Sequence, residues 1–415
     1  MLGDLQMQEE RWSGMEKRDN KGRILKTGES QRKDGCYDYR YKDPHTGKRV
    51  AIYANDLPEL RRKEREIRRA IEDGINTSAE AKKSSLNTLY EQYMAILQIE
   101  DSTRANYKGL WERHVRNTIG RMKVVDIRPS HIKSFYADMT KDGYAYGTLK
   151  VIHGILCPVF TSAIEDAIIL RNPAQGNLNG FGVKAKGREA LTAEEQEKLL
   201  TFTANSACYA KHLPLLTVMI GTACRVGEIS GLTWDDVSFQ DGEISITHQL
   251  IYKNFGDGCK FHKETPKTEA GIRDIPMSKA VRHALNEQRK QQLLLGIDRT
   301  FQVDDLSGFV FTSKNGAPLA PNAINNILKN IVEAYNRQEM VKAKEEKRKP
   351  VLLPHISAHI LRHTGCTRMA EAGMDPKVLQ YIMGHKDVTI TMGIYNHVCG
   401  KERVAREMEK LDAVI

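Results

Sequence analysis

The sequence has no uninterrupted run of about 18 apolar residues, the length a membrane-crossing helix needs. Its opening residues, MLGDLQMQEERWSG, hold no apolar core, which argues against a secretory signal. Cysteine is scarce and scattered: seven in 415 residues, an odd number with no Cys-x-x-Cys. That pattern excludes a disulfide framework and points to reduced thiols in a cytosolic protein. The sequon at Asn76-Thr77-Ser78 then carries no meaning. Acidic residues are outnumbered, with Asp+Glu 53 against Lys+Arg 63 and a net charge of +10. Such a balance favours a polyanionic partner, nucleic acid ahead of an anionic membrane. The length predicts two to four domains.

Residues 1–22 are polar and charged, without apolar periodicity. Three short strands are predicted near 23–28, 36–42 and 48–54. Tyr37, Tyr39 and Tyr41 alternate with Asp38, Arg40 and Lys42, the period of a two-faced strand. The turn signal Asp43-Pro44-His45-Thr46-Gly47 joins the second strand to the third. A charged helix over 57–73 follows, with Leu60, Ile67 and Ile71 facing the sheet. The result is a small basic sheet-plus-helix module at 1–73, ordered from about residue 22. A ribbon of this width enters a DNA major groove, with Tyr39, Arg40 and Lys42 as candidate contacts. Residues 74–85 read as a linker.

From 86 to 169 the pattern is helical. Helices are expected over 86–97, from Ser102, from Pro129, and over 146–167, before Asn172-Pro173 breaks the pattern. This gives a four-helix domain at 86–173 with no catalytic set. Arg104, Lys108, Lys133 and Lys150 are candidate phosphate contacts. A basic linker at 174–187 precedes the capping box of Thr192 and Glu195, which opens a third domain at 188–415. The architecture is therefore multidomain and mostly α.

The third domain concentrates the chemistry. Residues 212–221, HLPLLTVMIG, read as a buried helix that runs into Arg225. A guanidinium there needs an anion. Glu228 is either that partner or a residue that orients Arg225 toward a bound phosphate, which the planar fork of arginine suits. Lys267 lies on a turn between Pro266 and Thr268, ahead of a strand that ends at Ile275-Pro276. An ammonium so placed can protonate a leaving alkoxide. In residues 355–395, a helix from Ser357 to Ala372 sets His359 and Arg362 on one face. Gly373 then ends it, Asp375-Pro376 starts the next, Gly384 closes that one beside His385, and a further helix carries Tyr395. One guanidinium, two imidazoles and a phenol, without a carboxylate pair, suit chemistry on a phosphodiester. His355, His359 and His363 also recur every four residues, a spacing open to a metal. No Glu completes a His-Glu-x-x-His motif there, and no cysteines cluster nearby.

Taken in order, Arg225 in ACRVGEISGLTW, Lys267 in TPKTEAGIRDIP, His359 to Thr364 as HILRHT, Gly384-His385 and Tyr395 resemble the tyrosine recombinase (phage-type integrase) family. The N-terminal module further resembles the arm-binding domain of integrases from conjugative transposons. The resemblance implies a three-stranded-sheet arm domain, a four-helix core-binding domain and an α+β catalytic domain. It implies that Tyr395 attacks a scissile phosphate to give a 3′-phosphotyrosyl link and a free 5′-hydroxyl. Arg225 and Arg362 would hold the non-bridging oxygens, His359 would assist proton removal, Lys267 would protonate the 5′-oxygen, and His385 would bond the phosphate. No cofactor and no metal are implied. The implied partners are double-stranded DNA, three further copies of the chain, an excisionase and a host DNA-bending protein, in a bacterial cytoplasm on the nucleoid.

Three features depart from the family pattern or stand beside it. His385 and Tyr395 are ten positions apart where many members have nine, and Tyr381 is an alternative nucleophile inside the preceding helix. The charged run KAKEEKRKP at 342–350 resembles an exposed insertion. Residues 401–415 form a predicted amphipathic helix with Val404, Met408, Leu411 and Ile415 on one side, docking on its own domain or on a neighbouring copy. A competing reading is a DNA-binding regulator that keeps this fold without catalysis.

Overall fold

The structure, a computed structural model, describes residues 17–44, 47–76, 83–184, 189–256, 258–266 and 268–398, and the side chains of these up to residue 393. Lys267 and the predicted tail helix at 401–415 lie outside the described residues. The chain divides into two compact units, Met1–Lys186 and Gly187–Ile415.

The first unit opens with an antiparallel sheet of β1 (Glu29–Gln31), β2 (Tyr37–Lys42) and β3 (Arg49–Ala54), in that spatial order. Tyr37 and Tyr39 point inward, joining Leu25, Leu57 and Leu60 in a small core under α1 (Leu57–Glu72). Asp56 caps α1 by accepting from the Glu59 N–H at 2.8 Å. The first strand does not lie at 23–28. That stretch makes only a bridge between Arg18 and Ile24, and a turn at Thr27-Gly28 delays the pairing to Glu29. Gly28 has φ +88°, and a Cβ there would stand 2.9 Å from the Arg40 carbonyl, so the turn requires glycine.

Four helices follow: α2 (Leu86–Ile96), α3 (Asp101–Leu110), α4 (Pro129–Lys141) and α5 (Tyr146–Glu165). A π-helical turn, Trp111–Val115, prolongs α3 and drives Trp111 into the centre. There the indole stacks on Tyr90 at 3.8 Å and donates to Asn87 Oδ1 at 2.9 Å. By length and composition α5 is apolar enough to cross a membrane, but it carries Leu149, Ile152, Ile155, Leu156, Val159 and Phe160 into this core.

The second unit begins with α6 (Ala193–Asn205), held by the reciprocal capping box of Thr192 and Glu195. The apolar α7 (Leu213–Thr222) is its central helix. Ala223 ends α7 in the left-handed region at φ 50°, and the chain turns at once into α8 (Val226–Gly231). Strands β4 (Val237–Ser238), β5 (Glu243–Ile246) and β8 (Arg273–Pro276) form one antiparallel sheet. Between them a separate hairpin pairs β6 (Gln249–Asn254) with β7 (Cys259–Glu264). β7 is not foreseen from sequence, because CKFHKE buries no residue fully and shows no apolar alternation.

Helices α9 (Lys279–Leu294), α10 (Pro321–Glu345), α11 (Ala358–Glu371), α12 (Pro376–Met383) and α13 (Val388–Val398) complete the unit. Residues 342–345, the start of the charged run expected to be an insertion, are instead the last turn of α10. Arg348 folds back to pair with Glu339, so the segment caps the helix rather than looping out.

α7 and α11 pack so closely that a Cβ at Gly365 would stand 2.2 Å from the Ile220 carbonyl oxygen. Gly365→Val should therefore lower stability by about 1–3 kcal/mol, the range for overpacking a core. Gly109, in α3, has nothing within 4 Å of such a Cβ. Gly109→Ala should raise stability by about 0.5 kcal/mol through helix propensity alone. Urea denaturation of both variants checks the pair.

Candidate active site

Arg225 is the N-cap residue of α8, placed there by the turn at Ala223. Its backbone N–H donates to Glu228 Oε2 at 2.8 Å and its Nη1 donates to Oε1 at 2.7 Å. Glu228 does both things proposed for it: it pairs with the guanidinium and aims it. The Glu228 side chain is 2% exposed, whereas that of Arg225 is 39% exposed. The arginine is thus anchored on a buried acid and still open to solvent.

A second arginine completes this arrangement. Arg273 lies on β8 with its side chain fully buried. It donates to both Glu228 oxygens, at 3.1 and 2.9 Å, to the Gly271 carbonyl at 2.9 Å and to the Ile382 carbonyl at 2.6 Å. Burial alone would raise the Glu228 pKa, but the bonds and charge of Arg273, with those of Arg225, hold it at about 2. Burial would likewise lower Arg273, but its hydrogen bonds to Glu228, with the charges of Glu228 and its neighbours, together outweigh it and the net shift is upward. Arg273 is absent from the candidates drawn from sequence. Its signal was there in RDIP, where Arg273 and Ile275 alternate with exposed Asp274 and Pro276. An arginine on the inward register of a strand must have a partner inside.

Arg362 enters from α11, which packs on α7. It is buried, donating to the Ala223 carbonyl and to the Met383 carbonyl, each at 2.6 Å. Arg225 Nη2 donates to the next carbonyl, that of Gly384, at 2.9 Å. The two guanidiniums therefore share the C-terminal end of α12, where the helix dipole is negative. Gly384 ends α12 at φ 59°, and a Cβ there would be 3.0 Å from the Ala270 carbonyl and 3.1 Å from Arg273 Nη1. Burial, followed by the charge of Arg225, pulls the Arg362 pKa down to about 10, so it remains a cation at neutral pH.

His385 follows directly. Its Nε2 is 3.1 Å from Arg362 Nη2 and its Nδ1 is 3.0 Å from Thr391 Oγ1. Burial first, then the charges of Arg362 and Arg225, push its pKa down to about 4, so the ring is neutral at pH 7. A guanidinium only donates, so Nε2 accepts and the ring proton sits on Nδ1, donated to Thr391.

Arg225, Arg362 and His385 thus meet, with Glu228 and Arg273 behind them. His359 is the second residue of α11, exposed and one turn before Arg362. Lys267 lies outside the described residues, but its flanks are fixed: β7 ends at Glu264, and a turn at Glu269–Gly271 leads into β8. Tyr395 is carried by α13, with its side chain outside the description. Tyr381 stands on α12 with its hydroxyl accepting from the Asp274 N–H at 3.2 Å. Of the candidate DNA contacts, Arg40, Lys42, Lys108, Lys133 and Lys150 are exposed. Tyr39 is not available as one. It is buried under α1 with Arg68 over its ring, because the tyrosine face of β2 is the core face. Arg104 donates to the Met94 and Leu97 carbonyls, both at 2.5 Å, and so closes the end of α2.

Among the described residues, three guanidiniums gather at the end of α12 around one carboxylate, which two of them bond, with a neutral imidazole beside them. Two positive charges are left without an acid, and the arginine that faces solvent is one of the three. An anion with several oxygens, such as a phosphodiester, fits that surplus.

Comparison with known proteins follows the same division. Residues 189–402 match the phage integrase family, residues 13–72 the DNA binding domain of Tn916 integrase, and residues 85–140 the phage integrase N-terminal SAM-like domain. The transposase from transposon Tn1545 of Streptococcus pneumoniae is 34% identical over 413 residues, covering 95% of this chain and 96% of the relative. The transposase from transposon Tn916 of Enterococcus faecalis gives the same figures: 34% identity over 413 residues, 95% and 96%. A Tn1549 transposon integrase solved in complex with transposon right end DNA superposes with a TM-score of 0.68 at 29% identity, over 79% of this chain and 100% of that one.

The buried carboxylate sets a pH dependence. The Glu228 pKa falls from 4.5 to about 2 on folding, so its contribution is complete above pH 4.5 and lost as pH falls from there toward 2. A depression of that size is worth roughly 3 kcal/mol. Glu228→Gln should be destabilised by that order at pH 7 in urea denaturation. The gap from the parent should narrow steadily between pH 4.5 and 3.

Proposed function

The chain belongs to the phage integrase family, and from that premise we propose that it is a tyrosine-type site-specific DNA recombinase that integrates and excises a mobile element of conjugative-transposon type. The observation that carries the reading is the pair Arg225 and Arg362 on successive carbonyls at the end of α12, with Glu228 bonded behind Arg225.

In the proposed reaction a scissile phosphate enters above that pair. Its non-bridging oxygens take the hydrogen bonds of Arg225 and Arg362, whose excess charge matches the negative charge that grows at phosphorus. The Tyr395 oxygen attacks phosphorus as its proton passes to His359, since a phenol of pKa about 10 is a poor nucleophile at neutral pH. The bond from phosphorus to the 5′-oxygen breaks, and Lys267 gives that oxygen a proton. The products are a 3′-phosphotyrosyl link and a free 5′-hydroxyl. A 5′-hydroxyl from the second duplex then attacks the same phosphorus and releases Tyr395. One phosphoester replaces another, so neither nucleotide nor metal is consumed. His385 bonds the phosphate through Nε2.

The remaining parts follow from the same reading. Residues 1–73 grip arm-type DNA sites through the open face of the ribbon, where Arg40 and Lys42 point. Residues 86–173 and 188–415 each bind the core site, with Lys108, Lys133 and Lys150 on phosphates. Four copies hold two duplexes, an excisionase and a host bending protein set direction, and the work is done in the bacterial cytoplasm on the nucleoid.

A nicked suicide duplex from the element's ends tests this directly. A covalent protein–DNA adduct should form and map to Tyr395, and Tyr395→Phe should bind the duplex without forming it. An adduct that persists in Tyr395→Phe would overturn the assignment. Lys267→Ala should slow cleavage by about 10²–10⁴, the span of general-acid catalysis. A duplex with sulfur in place of the scissile 5′-oxygen should restore most of that loss, because a thiolate leaves without a proton. Single-turnover rates on the two substrates check it.

A further inference from the structure

The His385 ring joins Arg362 to the helix that carries Tyr395. Nε2 receives Arg362, and Nδ1 meets the Thr391 hydroxyl at 3.0 Å. Thr391 has no solvent exposure and lies on α13, the helix of Tyr395. The two residues are four apart, so they occupy one face of that helix, a turn from each other.

The observed arrangement and the proposed reaction demand opposite proton positions. As it stands, Arg362 donates into Nε2, and Nδ1–H donates to Thr391. With a phosphate in place, Arg362 turns its N–H groups to the phosphate oxygens, and Nε2 must carry the proton to donate as well. Nδ1 is then bare and needs a donor. A hydroxyl serves both arrangements, because it accepts in the first and donates in the second by rotating about its C–O bond. The ring gives up the Nδ1 proton to water and takes one from water on Nε2, so its charge is zero before and after. A valine at 391 would fill the same space and serve neither arrangement.

We propose that Thr391 is a positioning residue, whose hydroxyl lets His385 change the nitrogen that carries its proton and ties the Tyr395 helix to Arg362 through that ring. The inference rests on the reaction proposed above, in which His385 donates to the scissile phosphate. The hydrogen bond also explains why a polar side chain lies fully buried at this point of α13.

The test uses the full chain and single-turnover cleavage of the suicide duplex. Thr391→Val should cleave on the order of 10-fold more slowly, the effect of one buried hydrogen bond, with duplex affinity unchanged. Thr391→Ser should recover most of the rate. Should the valine variant fold poorly, Thr391→Ser against Thr391→Ala repeats the contrast with smaller side chains. In a His385→Ala background, Thr391→Val should add nothing, because both changes remove one interaction. A purely structural threonine would instead give a lowered melting temperature and an additive loss. Cleavage by Thr391→Val at the parent rate, or a serine variant as slow as the valine one, overturns the inference. If His385→Ala itself cleaves at the parent rate, the role of His385 in the proposed reaction fails first, and the two failures are told apart.

Discussion

A carboxylate withdrawn from water must be matched by donors on every side, and Glu228 is matched by two arginines and a backbone N–H. The rest of the site depends on that match. Arg273 fills the interior side and takes no part in solvent, so its charge is spent on keeping Glu228 ionised. Arg225 is then held from below while its outer edge stays free for a ligand. Removing either partner would strand a charge in a low-dielectric interior, which is far worse than never having buried the pair. The cluster is thus held together as a unit, and it fixes guanidinium geometry through direct hydrogen bonds.

The same cluster links elements far apart in the chain. Arg273 connects the turn that follows Lys267 to the end of α12, through the Gly271 and Ile382 carbonyls. Arg225 and Arg362 take up the next two carbonyls of that helix end. Three guanidiniums on three consecutive carbonyls, those of Ile382, Met383 and Gly384, leave the α12 terminus with its negative end neutralised. Gly384 favours it, since its left-handed backbone suits glycine and a Cβ there would press on the Ala270 carbonyl and Arg273. His385 is the next residue along, so its ring is set by the same turn. Preorganisation of this kind lets a phosphate bind without rebuilding the site, the condition under which fixed charges stabilise a transition state best.

Much of this was legible beforehand, for identifiable reasons. The helix of Arg362 announces itself by Ser357 and Gly373, and the one before His385 by Asp375-Pro376 and Gly384, because caps are local chemistry. Arg225 is legible because a buried apolar run ends on it. Arg273 is harder to see, because the alternation that marks it runs over a strand of only four residues. Tyr39 was misassigned for a related reason. Alternation fixed the two faces of β2 but not which one met α1, and the aromatic face turned out to be the core. Arg104 reads as a surface base, yet its partners are carbonyls on a different helix, which no local pattern reveals. Thr391 gives no sign in sequence at all, since its hydrogen-bond partner is a histidine ring six residues back.

The central claim is that Arg225 and Arg362 form one phosphate-binding pair, with Glu228 holding the first in place. The most direct measurement is a structure of the Tyr395→Phe protein on a duplex that spans its cleavage site. The account predicts both guanidiniums within about 3 Å of the non-bridging oxygens of a single phosphate, with Arg225 still bonded to Glu228. A scissile phosphate held by only one of the two, or an Arg225 that has left Glu228 to reach it, would contradict the account.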